Sequence, residues 1–253
     1  MSVTASTPDL LVADGASQIP MLPLTKSRPR HGQLHLDAFG LNASVEEALL
    51  ASLSDAETFW ADTTRRILDI VFSMATLLLT LPLLLLLACL IKLDSTGPAL
   101  YRQERVGLHG RSFWLLKLRS MRIDAEAAGP RWAVSRDPRV TRLGRILRLT
   151  RMDELPQLLN VLGGSMSLVG PRPERPCFVR HLTEIVPHFG ERIRVKPGIT
   201  GWAQVNYPYC ATVEDTREKL AYDLYYLRHR TLVLDLRILL ATAWVVVTGS
   251  GAR

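Results

Sequence analysis

Cysteine is scarce in this chain. Cys89, Cys177 and Cys210 are the three present, an odd number with no metal-ligand spacing. That excludes a disulfide framework and reads as reduced cytoplasmic thiols. Residues 1–30 lack a basic start followed by an apolar core, so no signal peptide is expected. There is no strand motif interleaved with aromatics, no zinc spacing and no helix-turn-helix signature, so a nucleic-acid partner is not expected despite the basic charge. Charge itself is missing from Ile70 to Ile91, a Leu-rich run of 22 residues.

What charge there is falls unevenly. Of 253 residues with a net charge of +7, residues 1–60 hold 3 Lys/Arg and 7 Asp/Glu, and residues 61–253 hold 28 and 17. The basic part suits phosphate-bearing or anionic-surface partners. Residues 1–60 read as an extension. Positions 1–41 are rich in Ser, Thr, Pro and Gly without a sustained period, and are expected to be mostly disordered. Ser44-Val-Glu-Glu47 and Ser54-Asp-Ala-Glu57 match a capping box, which predicts a short amphipathic helix from Ser44 to Leu53 and a second start near Ser54.

As a helix the charge-free run would be about 33 Å long, enough for a hydrocarbon core of about 30 Å. Pro82 interrupts it, removing the N–H that would bond the Leu78 carbonyl. Both flanks are basic, with Arg65 and Arg66 before and Lys92, Arg102 and Arg105 after. Matched flanks favour both ends on the cytoplasmic side. A re-entrant helix-break-helix over 61–95 and a kinked spanning helix both stand on these residues.

Beyond Gly97-Pro98 two short strands are expected, at Leu100–Gly107 and Phe113–Met121, with Lys117 and Arg119 on one face of the second. Arg136, Arg139, Arg142, Arg145, Arg148 and Arg151 follow at steps of three. Asp137-Pro138 offers the start of a helix carrying most of them. Some of these arginines suit anionic headgroups, and Arg148 and Arg151 lie nearest a dyad of carboxylates, Asp153-Glu154. Leu155, Leu158, Leu159 and Leu162 recur at helical spacing, Pro156 fits a first turn, and Gly163-Gly164 ends the helix. Asp153 at such an N-terminus would be kept ionised by free N–H groups and the dipole. It could then serve as a nucleophile or hold a cation, although an acidic N-cap is the plainer use of the residue. The glycine-rich loop after it closes on Gly170-Pro-Arg-Pro173, where flanking prolines pre-position the Arg172 fork.

Taken together, Asp153-Glu-Leu-Pro-Gln-Leu158, Ser167-Leu-Val-Gly-Pro-Arg-Pro173 and Lys196-Pro-Gly-Ile-Thr-Gly-Trp-Ala-Gln-Val-Asn206 resemble the bacterial sugar transferases, the polyprenol-phosphate phosphoglycosyl transferases with a monotopic anchor. The resemblance runs from about Arg65 to the C-terminus, and the tail Tyr207–Asp215 with Asp223-Leu-Tyr-Tyr226 looks like members attached to exopolysaccharide gene sets. Residues 1–60 have no counterpart in that family's core.

The resemblance implies an α+β fold, mostly helical, with a small strand pair, a re-entrant anchor at 61–95 broken at Pro82, and a catalytic domain over 96–253. It implies transfer of a hexose-1-phosphate from a UDP-sugar to undecaprenyl phosphate, through a covalent intermediate on Asp153 and with release of UMP. Asp153 and Glu154 would hold Mg²⁺. Arg172 and Arg148 would bind substrate phosphate, with Lys117 and Arg119 as weaker candidates, and Gln204 and Asn206 would line the nucleotide side. The expected location is the cytoplasmic face of a bacterial inner membrane, in contact with anionic lipids; glucose, galactose, an N-acetylated sugar and a homodimer all stay open. Two departures stand out: Leu81 where the family commonly has Ser before the proline, with Thr80 as a substitute hydroxyl, and Cys210 where Gly is usual. Asp223 either pairs with a basic residue such as Arg148 or belongs to a plain core-edge helix, and Leu232–Val247 is expected to form a helix against the membrane face or the core. A basic membrane-tethered scaffold and a phosphohydrolase using the same Asp are the rival readings.

Overall fold

The computed structural model describes residues 59–127, 129, 137–207 and 213–248. The expectations for residues 1–58, for Arg136 and for Cys210 lie outside them. The described chain is mostly helical with two small sheets. Helix α1 spans Phe59–Asp94 and is continuous through Pro82, so the break in helical structure expected at that proline is not seen. Thr80 does not compensate the proline, because its hydroxyl donates to the Thr76 carbonyl at 2.7 Å rather than to Leu78.

α1 is buried against the rest of the chain near its two ends, and no residue from 74 to 86 is buried. Arg65, Asp69 and Ser73 are buried in its first half and Leu87 and Ile91 in its second. The opposite face is apolar and bare: Phe72, Leu78, Leu79, Leu85 and Leu86 are each at least 52% exposed. A patch of that size on a soluble surface would drive association, so a lipid environment is its natural cover. Within Ala61–Asp94 an 18-residue window has a mean hydropathy of 2.6, and the helix is long and apolar enough to cross a membrane.

Both ends of α1 are fastened to the same body of protein. Near the start, Arg65 Nε donates to Asp235 at 2.9 Å. Arg66 donates to the Val161 and Leu162 carbonyls. Asp69 accepts the Leu168 amide at 2.9 Å. Near the end, Leu87 and Ile91 pack with Ala99, Leu118 and Leu147.

Strands β1 (Leu100–Val106) and β2 (Ser112–Leu118) form the expected antiparallel pair, with Leu100 opposite Leu118 and Val106 opposite Ser112. Helix α2 covers Arg142–Leu149 and starts later than expected. Thr141 caps it by accepting the Gly144 amide at 2.9 Å. Asp137 is drawn instead into an ion pair with Arg139 at 2.6 Å, so Asp137-Pro138 forms a turn and α2 carries only Arg142, Arg145 and Arg148 of the arginine series.

A 3-10 turn at Met152–Glu154 leads to helix α3, Gln157–Leu162. A second sheet, unexpected from the sequence, pairs β3 (Ser167–Val169) in parallel with β4 (Gly198–Thr200). Helices α4 (Pro176–Ile185), α5 (Trp202–Asn206), α6 (Val213–His229) and α7 (Leu232–Thr248) complete the described chain. One core forms where α4 meets α6, around Phe178, Leu182, Phe189 and Leu224. A second forms where α7 lays Leu234 and Ile238 on Val169 and Tyr226. The outer side of α7 leaves Val233, Leu236, Leu240 and Trp244 exposed, as expected for a helix that is neither spanning nor wholly in the core.

The β3–β4 crossing depends on glycine. A Cβ on Gly198 would collide with the Gly170 amide and the Thr200 carbonyl, both backbone atoms that cannot rotate away. Gly198→Ala should therefore destabilise the fold by about 1–3 kcal/mol. A Cβ on Gly190 meets nothing nearer than the Thr183 methyl at 3.7 Å, so Gly190→Ala serves as the near-neutral control. Denaturant titration of the two variants in the same detergent checks the difference.

Candidate active site

The dyad sits on the 3-10 turn, not at the N-terminus of a regular helix. Arg151 before it takes a left-handed backbone (φ 56°), and Pro156 caps α3 from outside. Asp153 is therefore not a helix cap, and the dipole stabilisation expected from the sequence is outweighed. Burial pushes its carboxyl up, the Glu154 charge adds to that, and Lys117, Arg148 and Arg172 pull it partly back. Its carboxylate makes no hydrogen bond with the described residues, and it is 7% exposed. Next to it Glu154 behaves in the opposite way. Burial alone would raise its carboxyl, but Arg172 and Lys117 together outweigh burial and hold it at about 2. Arg172 Nη2 lies 2.6 Å from Glu154 Oε1, and Lys117 Nζ lies 3.7 Å from the same oxygen. Lys117 in turn is pushed down to about 8, chiefly by burial and then by Arg172.

The two carboxylates thus divide their work. Glu154 neutralises two cations and fixes them, while Asp153 is left as a desolvated acceptor beside the surplus positive charge. Arg148 and Arg172 both act on Asp153, Arg148 being steadied by Ser120 Oγ at 2.9 Å. Gln204 Oε1 receives Arg172 Nη1 at 2.9 Å, which puts Gln204 at the site's edge. Asn206 is not brought there: its amide donates to the Trp202 carbonyl within α5. Arg119 is not brought there either. It is 6% exposed and its guanidinium goes to the Ser95, Thr96 and Ile91 carbonyls at the end of α1. β2 stops at Leu118, so the shared face expected for Lys117 and Arg119 ends one residue too soon.

A second layer holds the Arg172 loop, and the sequence reading missed it. Arg192 Nη2 donates to the Arg172 carbonyl at 2.9 Å, and its Nε pairs with Asp223 at 2.7 Å. Asp223 therefore pairs with Arg192 and not with Arg148, which lies with Ser120. Arg105 Nη1 donates to the Pro173 carbonyl at 2.9 Å and pairs with Glu174 at 3.5 Å. Arg105 was detectable in principle, since it shares a strand face with Tyr101 and Gln103. Arg192 lies in a stretch with no periodicity to mark it.

The donor set can also be tested against a divalent ion. Among the described residues no three His, Cys, Asp or Glu side chains cluster. Glu154 spends Oε1 on its cations, leaving Oε2 and the Asp153 carboxylate. Mg²⁺ is ordinarily held by one or two carboxylates with substrate phosphates and water completing its shell. The pair fits a site of that kind, completed by a substrate.

Comparison with known proteins bears on what such a site is for. Residues 60–249 match the model of the bacterial sugar transferases. The chain belongs to the bacterial sugar transferase family. Among curated members, it is 45% identical over 189 residues to the UDP-N-acetylgalactosamine-undecaprenyl-phosphate N-acetylgalactosaminephosphotransferase of Aeromonas hydrophila, covering 75% of this chain and 45% of that protein. It is 47% identical over 165 residues to the UDP-glucose:undecaprenyl-phosphate glucose-1-phosphate transferase of Xanthomonas campestris pv. campestris, covering 64% of this chain and 34% of that one. A third member, an exopolysaccharide production protein of Rhizobium leguminosarum bv. phaseoli, is 43% identical over 188 residues, which span 70% of this chain and 92% of that protein. The chain thus matches less than half the length of the first two members.

The opposed titrations give this family member's site a thermodynamic signature. A carboxyl whose pKa is raised by folding above its ordinary 3.8 destabilises the fold wherever it is ionised, and that penalty disappears as pH falls through the folded value. Asp153→Asn should therefore raise the melting temperature at pH 7–8, with the gain vanishing below about pH 4. Melting curves of the two proteins across that range check the sign.

Proposed function

We propose that this chain moves a sugar-1-phosphate from a UDP-sugar to undecaprenyl phosphate, with Asp153 as the nucleophile. The observation that carries the reading is Asp153 itself, a buried carboxylate without a hydrogen-bond partner among the described residues, facing Lys117, Arg148 and Arg172. A desolvated anion next to fixed cations attacks a phosphorus well, because the same cations neutralise the phosphate oxygens that would otherwise repel it. The names of the curated relatives support the donor and acceptor classes.

In the first step an Asp153 Oδ atom bonds to the sugar-linked phosphorus. The bond from that phosphorus to the bridging oxygen breaks, and UMP leaves with the electron pair. In the second step an oxygen of the lipid phosphate bonds to the same phosphorus, and the Asp153 O–P bond breaks, restoring the carboxylate. The sugar's own C–O bond survives both steps. Arg172, held by Glu154 and Gln204, orients the diphosphate with its planar fork. Lys117 and Arg148 supply charge at the oxygens around the reacting phosphorus. Asp153 and Glu154 Oε2 would hold Mg²⁺ with those phosphates; the ion would add positive charge to the diphosphate and favour departure of UMP.

The acceptor reading rests on α1. Its apolar face is bare and both of its ends are fastened to one body of protein, so we read the anchor as monotopic, dipping into the cytoplasmic face of a bacterial inner membrane, with Pro82 as the point at which the continuous helix would bend. That sets the dyad, which follows α2, near the headgroup plane where a lipid phosphate resides.

The test is a UMP-release assay over UDP-glucose, UDP-galactose and UDP-N-acetylgalactosamine with undecaprenyl phosphate and Mg²⁺. One or more donors should release UMP, and donor alone should add the mass of one phosphosugar to the protein. Asp153→Asn should do neither. UMP release by that variant would remove the nucleophile, and free sugar-1-phosphate formed without lipid would make the protein a hydrolase.

A further inference from the structure

Arg119 was a candidate for substrate phosphate, and its place in the fold gives it another use. Helix α1 ends at Asp94, and the last carbonyls of any helix lack intrahelical partners and carry the negative end of its dipole. Arg119 is buried at this end, where its acceptors are the Ile91 carbonyl in the last turn and the Ser95 and Thr96 carbonyls just beyond the helix. Nη2 donates to the Ser95 carbonyl at 2.7 Å and to Ile91 at 3.4 Å, while Nη1 reaches the Thr96 carbonyl. Its own amide bonds Ala99 at 2.8 Å. Gly97 turns the chain between these acceptors with φ 112°, and a Cβ there would run into the Arg119 guanidinium. Two residues before Arg119 on the same run of chain is Lys117, 3.7 Å from Glu154.

The end of the membrane helix and the cation of the dyad are thus joined through one buried side chain and one short length of strand. We propose that Arg119 is a positioning residue: it latches the end of α1 to β2 and so sets the depth of the dyad relative to the bilayer. The proposal rests on the transferase reading above. Its consequence differs between the two substrates. A UDP-sugar comes from water and meets the site at whatever height it stands. A polyprenyl phosphate is confined to the headgroup plane by its tail, so a site displaced along the bilayer normal meets it badly. Loosening the latch should slow the lipid step and spare the nucleotide step.

The experiment uses the full chain in lipid nanodiscs and separates the half-reactions. With UDP-sugar alone, the rate of adduct formation is followed by intact mass; undecaprenyl phosphate in the same bilayer then discharges the adduct. Arg119→Lys keeps the charge but gives up the planar fork that reaches three carbonyls. Gly97→Ala leaves Arg119 in place and displaces its guanidinium. In both variants adduct formation should stay within about twofold of wild type while discharge slows on the order of tenfold, as expected for ångström-scale misplacement. Equal slowing of both steps would make Arg119 a merely structural residue, and no slowing of discharge would leave the latch without function; either overturns the proposal. Hydrogen exchange at residues 95–99 provides a readout independent of turnover. It should quicken in both variants, and unchanged exchange would overturn the latch itself. If wild type releases no UMP from any donor, the transferase reading fails while exchange still judges the latch.

Discussion

The ion pair between Glu154 and Arg172 is the constraint on which the site depends. At 2.6 Å, with Lys117 on the same oxygen, it gathers two cations where a lone buried carboxylate would otherwise be intolerable. Those cations are what allow Asp153 to sit desolvated next door. Exchange the environments of the two acids and the chemistry goes: a salt-bridged Asp153 would be a poor nucleophile, and a free Glu154 would leave Arg172 without direction. Behind Arg172 the same logic repeats, with Asp223 orienting Arg192 and Arg192 holding the Arg172 carbonyl.

The anchor is a structural part of this arrangement. Arg66 satisfies carbonyls at the C-terminal end of α3, the helix that follows the dyad. Asp69 fixes β3, from which the Arg172 loop departs. A polar contact group near its start (Arg65, Asp69, Ser73) and an apolar one near its end (Leu87, Ile91) give α1 a single orientation on the body, with its bare face left for lipid.

Much of this was legible in the residues. A long run without charge marks α1, alternation marks β1 and β2, and spaced leucines mark α3. The family motifs carried Asp153, Glu154 and Arg172 together because each is a short, local string. What escaped was set by competition or by distance. Asp137 looked like a helix cap, but Arg139 took its carboxylate and Thr141 did the capping. Three-residue strands such as β3 and β4 are too short to show a period, and their parallel pairing spans a separation of about 30 residues. Arg119 was a phosphate candidate by resemblance alone, and Asp223 was given Arg148 as an example of a basic partner. Their partners, Ser95 and Arg192, are identifiable only once the chain has folded. Burial at Asp153 belongs to the same class, since a dipole can be inferred from spacing and desolvation cannot.

The central claim is that one carboxylate of the dyad carries the phosphosugar. Acid-quenched protein, taken after brief exposure to a UDP-sugar and cleaved into peptides, locates the modification by tandem mass spectrometry. The account predicts a phosphosugar on Asp153. A phosphosugar on Glu154, or UMP release with no modified residue, would contradict it.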